Sequence, residues 1–145
     1  MSLLGNETDP SAVVQRLRAV TNTHDIDAIV ACFASDYRNE TPAHPARNFV
    51  GKEQVQRNWT QILAAIPDVS TEIIASAVSG NMVWTEWEHR GTRRDGTAHL
   101  MRGVVVFRIA NGLIASARFF LEPVEEASGD VDTAVQRQVG VGTAS

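Results

Sequence analysis

A chain of 145 residues has the length of one ordinary domain, and 43% apolar residues exclude a globally disordered polymer. A net charge of −4 argues against nucleic acid or an anionic membrane as partner, since both need a basic stripe. The single cysteine, Cys32, excludes an intramolecular disulfide and any multi-cysteine metal site.

Asp9 followed by Pro10 predicts a helix start: a capping carboxylate, then a proline where no backbone donor is needed. Residues 1–6 lack the basic start and apolar centre of a signal peptide, and no apolar run approaches the ~20 residues of a membrane span, so a soluble, cytoplasmic protein is expected. Val13, Leu17 and Val20 recur at spacings of four and three and share a helix face. Thr23, His24 and Asp25 interrupt that pattern and cap a second stripe of Ile26, Ile29, Val30 and Phe33, where Cys32 reads as a small core residue. Residues 36–41 read as a short extended piece, and Pro42 and Pro45 frame a loop. Gly51 opens a third helix with Val55, Trp59, Ile62 and Ile66 on one face, ended by Pro67 and Asp68.

Four strands follow, at 69–78, 82–91, 98–109 and 113–123. Ser79-Gly80-Asn81, Asp95-Gly96 and Asn111-Gly112 are the turns between them, the last two being strong hairpin signals. Helices first and then an antiparallel meander is α+β order. Residues 1–8 and 125–145 are expected to be flexible and to flank one domain over 9–124; Val131, Val135 and Val139 give the tail only a loose helical stripe.

Treating both hairpin turns as two-residue turns assigns the sheet faces. One face then carries Val83, Thr85, Trp87, His89, Arg102, Val104, Val106, Ala117, Phe119 and Leu121, and its apolar character suits an interior under helices. The other carries Trp84, Glu86, Glu88, Met101, Val105, Phe107, Arg118, Phe120 and Glu122. Aromatic anchors among charges on that second face predict a homodimer through Trp84, Phe107 and Phe120.

His24-Asp25-Ile26-Asp27, Phe33-Ala34-Ser35-Asp36-Tyr37, Pro42, Gly51, Gly80-Asn81 and Asn111-Gly112-Leu113-Ile114 together resemble the nuclear transport factor 2-like superfamily. The likeness covers about residues 10–123 and lies in the branch of SnoaL-like polyketide cyclases and limonene-epoxide hydrolases. It implies a cystatin-like α+β fold: a cone-shaped, curved antiparallel sheet packed with about three helices around a pocket on its concave side. Tyr37-Arg38-Asn39 resembles the Tyr-x-Asn pair by which epoxide hydrolases of this fold hold the attacking water. The stretch from Val83 to His89 is similar to the strand bearing their Arg-x-Asp, with Trp87 in place of the arginine and His89 in place of the aspartate. Their second aspartate falls near Phe119, so the water-holding pair is kept and the charged triad is lost. A ketosteroid-isomerase site is not matched either, because Thr41 precedes Pro42 where that family has its base and Val104 falls near its acid.

His89 is the candidate acid/base: an imidazole on the pocket face is the one side chain there that titrates near neutral pH. Tyr37 and Asn39 alternate, share a face, and would polarise an oxygen or a water. Trp59, Thr85, Trp87, Arg102, Val104 and Phe119 are expected to line the pocket, with Arg102 pairing a carboxylate and lowering the pKa of His89. Glu86 and Glu88 share a face, but the outward one, as does Glu122, and His44 reads as a solvent histidine of the proline loop. No His, Asp and Glu cluster reads as a metal site, and no phosphate loop or nucleotide fingerprint is present, so no cofactor is expected. Two functions fit. One is a cofactor-free cyclase, isomerase or hydrolase of a hydrophobic, oxygenated, polyketide- or steroid-like molecule. The other is a non-catalytic ligand-binding or scaffolding protein of the same fold.

Overall fold

The structure, a computed structural model, describes residues 9–127 and 129–140. The expectation for residues 1–8 lies outside these. Helix α1 spans Pro10–Asn22, and Asp9 caps it by accepting from the Ser11 N–H. Helix α2, Ile26–Val30, is capped in the same way by Asp25, which accepts from the Ala28 N–H. Its stripe stops short of Phe33, which instead opens strand β1, Phe33–Glu40. Capture by the sheet is the reason: the Ile114 N–H donates to the Cys32 carbonyl at 2.9 Å. A 3₁₀ turn at Pro45–Arg47 leads to the two-residue strand β2, Phe49–Val50, and then to helix α3, Lys52–Ala65. The meander is β3, Ser70–Ser79; β4, Met82–Thr92; β5, Ala98–Ala110; and β6, Leu113–Pro123.

The six strands form one sheet in the order β2-β1-β6-β5-β4-β3. All pairs are antiparallel except β1 with β6, which run parallel. The α+β class is as the sequence predicts, while the parallel seam is an addition to it. Helix α1 packs on β3, β4 and β5, and α3 packs on β1 and α2. Val13, Val14, Ile29, Cys32, Tyr37, Val83, Trp87, Val105, Phe107 and Ile114 make up most of the buried core between them.

Both hairpins depart from the expected register. At β4–β5, Arg93 and Thr97 close a three-residue loop in which the Gly96 N–H donates to the Arg93 carbonyl and Gly96 takes φ +87°. That is a type I turn with a glycine bulge, and it pairs His89 with Met101 and Trp87 with Gly103. At β5–β6, Asn111 and Gly112, both at positive φ, form the two-residue turn that the sequence predicts. A bulge beyond it then shifts the register, so that Arg108 faces Ser116 and Val104 faces Phe120. Each shift turns side chains by one face, and β5 lies between the two. β4 and β6 therefore keep their expected faces, while all of β5 is inverted.

Met101, Val105 and Phe107 consequently point inward, and Arg102, Val104 and Val106 point outward. Phe107 is 2% exposed and belongs to the core, not to the outer aromatic set. Gly103 stands inward between Trp87 and Leu121, where a Cβ would come within 2.1 Å of the Phe120 carbonyl oxygen. The tail holds a helix, α4, Val131–Val139, capped by Asp130 and ended by Gly140 in the left-handed conformation. Its three valines remain exposed.

Candidate functional site

The concave side of the sheet and helices α1 and α3 enclose a cavity of about 360 Å³. Its walls are mostly apolar: Leu17 from α1, Phe33 from β1, Val55, Trp59 and Ile62 from α3, Trp87 from β4, Met101, Val105 and Phe107 from β5, and Phe119 and Leu121 from β6. Polar groups reach it at a few points, namely Thr21, Asn39, Thr41, Arg47, Asn58, Thr71, His89 and His99. An apolar chamber with a few convergent polar groups is the usual form of a small-molecule site.

Tyr37 enters from β1 between Phe33 and Phe49, with edge-on ring contacts at 4.8 and 5.9 Å. Its hydroxyl donates to Asn39 Oδ1 at 2.7 Å, so two alternate residues of one strand are joined on the pocket face. Burial raises the Tyr37 pKa well above the ordinary phenol value, so this hydroxyl remains a proton-bearing donor.

Farther across the same sheet, on β4, Trp87 stands edge-on to His89, ring centroids 5.7 Å apart. Trp87 Nε1 donates to the Thr85 hydroxyl at 2.6 Å, and that hydroxyl donates to the Val105 carbonyl at 2.7 Å. His89 makes no side-chain hydrogen bond among the described residues. Burial in this apolar wall lowers its pKa to about 4, with a further contribution from His99. His99 is lowered too, by burial and by Arg93. Both imidazoles are therefore uncharged at neutral pH.

Residues 14–117 match the SnoaL-like domain. The chain belongs to that family. Solved SnoaL-like and related structures share its fold at low identity. SalBIII, an epoxide hydrolase/cyclase-like enzyme of pyran ring formation in the polyether salinomycin, is 22% identical over 78% of this chain and 90% of its own, with a TM-score of 0.69. A loop-truncation variant of IdmH is 21% identical over 79% and 93%, with a TM-score of 0.67. A SnoaL-like protein of Burkholderia thailandensis is 23% identical over 80% and 94%, with a TM-score of 0.62. No curated protein matches the sequence.

The SnoaL-like cavity brings together Tyr37, Asn39, Trp59, Trp87, His89 and Phe119. Three expected lining residues are placed elsewhere. Thr85 is on the inward side of β4 but lies behind the wall, its hydroxyl spent on Trp87 and Val105. Arg102 and Val104 face outward because β5 is inverted. Arg102 pairs with Glu88 at 2.8 Å on the outer surface, where Arg90 binds the same carboxylate. Arg102 thus has no part in the shift of His89, which comes from burial first and from His99 second. Glu86, Glu88 and Glu122 lie outside the cavity, and Glu122 sits 3.4 Å from His44 of the proline loop. No aspartate or glutamate among the described residues lines the cavity. Among the described residues no cluster of His, Cys, Asp and Glu could hold a metal.

Arg47, Asn58, Thr71, His99 and Met101 are pocket residues that sequence reasoning missed. Asn58 carried a usable signal, because it adjoins Trp59 on α3 and lies three residues after Val55. His99 and Met101 follow directly from the correct register of β5.

Proposed function

We propose that this SnoaL-like domain binds a small apolar, oxygen-bearing molecule and acts on it without a cofactor, as a cyclase, isomerase or hydrolase of a polyketide- or steroid-like compound. The observation that carries this reading is His89: an uncharged imidazole with no hydrogen-bond partner among the described residues, set in an apolar wall of the same cavity as the Tyr37–Asn39 pair. An uncharged imidazole can take a proton from a carbon acid or a water. Negative charge growing on the substrate raises the basicity of His89 as the proton moves. Asn39, whose carbonyl oxygen is held by Tyr37, offers its amide N–H groups to the substrate oxygen. The role of SalBIII as an epoxide hydrolase/cyclase-like enzyme is consistent with acid/base chemistry in a pocket of this shape.

A second reading, a ligand-binding or scaffolding protein without turnover, is favoured by the lack of any carboxylate among the described residues that line the cavity. One experiment separates the two. Aromatic polyketide-like compounds are first screened for binding by quenching of tryptophan fluorescence, using Trp59 and Trp87 as reporters. Each compound that binds is then incubated with the protein and followed by mass spectrometry. Conversion that falls about 10²–10⁴-fold in His89→Gln, with binding retained, supports the enzyme. Tight binding without conversion of any compound supports the second reading.

A further inference from the structure

Three polar side chains of this cavity, Asn39, Asn58 and Arg47, offer a ligand donors alone, beside the two uncharged imidazoles, each of which keeps an acceptor nitrogen. Arg57 can only donate, and its Nη2 donates to Gln54 Oε1 at 2.6 Å, which fixes the orientation of that amide. Gln54 Nε2 therefore donates to Asn58 Oδ1 at 2.8 Å, leaving Asn58 with two free N–H donors and an occupied oxygen. Asn39 is in the same state, its Oδ1 taken by the Tyr37 hydroxyl. Arg47, on the turn that borders the cavity, has no carboxylate within ion-pair distance among the described residues. Both amides and the guanidinium thus present donors, and no carboxylate among the described lining residues competes with them.

From this arrangement we infer that the cavity takes a ligand whose apolar body ends in a carboxylate, held by Arg47, Asn58 and Asn39. The inference rests on the pocket reading above and sharpens it from an oxygenated ligand to an acidic one. Burial of a neutral oxygen would use only part of the donor set. An anion uses all of it, in charge-assisted bonds of about twice the strength of neutral ones. The apolar walls around Asn39 and Asn58 strengthen their bonds further, while Arg47, exposed on the bordering turn, meets the anion at the rim.

The test uses a matched pair of probes, 2-naphthoate and its neutral isostere naphthalene-2-carboxamide, titrated by tryptophan fluorescence and calorimetry at pH 7. Expected is binding of the carboxylate ~10-fold or more tighter than the carboxamide. Arg47→Gln should remove most of that preference, and Asn58→Asp, which is isosteric, should abolish or reverse it, both with a much smaller change in carboxamide binding than in carboxylate binding. Equal affinity of the two probes overturns the inference and leaves the pocket reading intact. So does an equal loss of both probes in the two variants, which would mean that these residues only shape the wall. Failure of both probes to bind the unaltered protein overturns the inference and counts against the pocket reading together.

Discussion

Trp87 and Thr85 are joined by an indole-to-hydroxyl hydrogen bond of 2.6 Å, two residues apart on the inward side of one strand. Because the same hydroxyl donates to the Val105 carbonyl, the wall behind the cavity is pinned across β4 and β5 by a side chain that the ligand never meets. Thr85→Val keeps the shape and removes both bonds, leaving a buried indole N–H without a partner. The expected cost is about 1–3 kcal/mol of stability, measured by urea denaturation. A loss of naphthoate-type binding should accompany it, since Trp87 loses the bond that sets its plane. A variant as stable as the parent would show that Trp87 is held by packing alone.

How much of this site was legible depended on register. The alternation of β4 and β6 was enough to bring Trp87, His89 and Phe119 to one face. β5 was not legible, because the three-residue Arg94-Asp95-Gly96 loop and the bulge near Ser116 are each invisible to a hydrophobic pattern. A run such as Val104-Val105-Val106-Phe107 is apolar on both faces and does not reveal its own parity. β1 was partly missed for a related reason. Its sequence, from Phe33 to Glu40, is mostly polar, and it is held by a parallel neighbour some 80 positions away in the chain. Arg47 lies on a short 3₁₀ turn whose position depends on the folded β1–β2 pair, so no local signal aimed it at the cavity.

Stability should depend on pH through His89. Its folded-state pKa, about 4, lies below the ordinary value of 6.5 because the buried imidazole resists charging. Between those two values the unfolded chain binds more protons than the folded one, so stability falls as pH falls through that window. It is fully present above about pH 6.5, and the loss on reaching pH 4 is on the order of 3 kcal/mol. His99 is shifted in the same direction and adds to it. Carboxylates such as Glu88 and Asp68, lowered by hydrogen bonds to arginines and to Thr92 respectively, act only at still lower pH. Urea midpoints at pH 7.5, 6, 5 and 4.5 check this, and His89→Gln should flatten most of the slope between pH 6.5 and 4.5. An unchanged slope would place the titration elsewhere.

The tail helix α4 is expected to be dispensable for folding. Its apolar stripe, Val131, Val135 and Val139, stays exposed, so little burial offsets the ~1–2 kcal/mol per residue of ordering entropy. Ending the chain after Glu126 should change stability by less than about 1 kcal/mol in a urea titration. A loss of several kcal/mol would mean that the valines dock on another surface in solution.

The outer face of the sheet leads to the last prediction. Trp84 and Phe120 are 46% and 40% exposed, and between them on β5 run the outward-facing Val104, half-buried, and Val106, which its neighbours already cover. Arg118 lies over the Phe120 ring at 5.8 Å, and the Glu88–Arg90–Arg102 network flanks the apolar residues. Large apolar side chains ringed by charges have the composition of an association surface, with aromatic anchors at the centre and a polar rim. We propose that a second copy covers this face, with Trp84 and Phe120 as anchors and without Phe107, which the core has taken. A two-fold arrangement suits it, because each copy then offers the same patch to the other. Sedimentation at micromolar concentration should give a dimer. Replacing Trp84 and Phe120 together by lysine should give a folded monomer, since both side chains lie outside the core and each lysine meets its own copy across the axis. Retention of the dimer in that double variant would move the interface elsewhere, and a monomeric parent protein would leave the patch as bare surface.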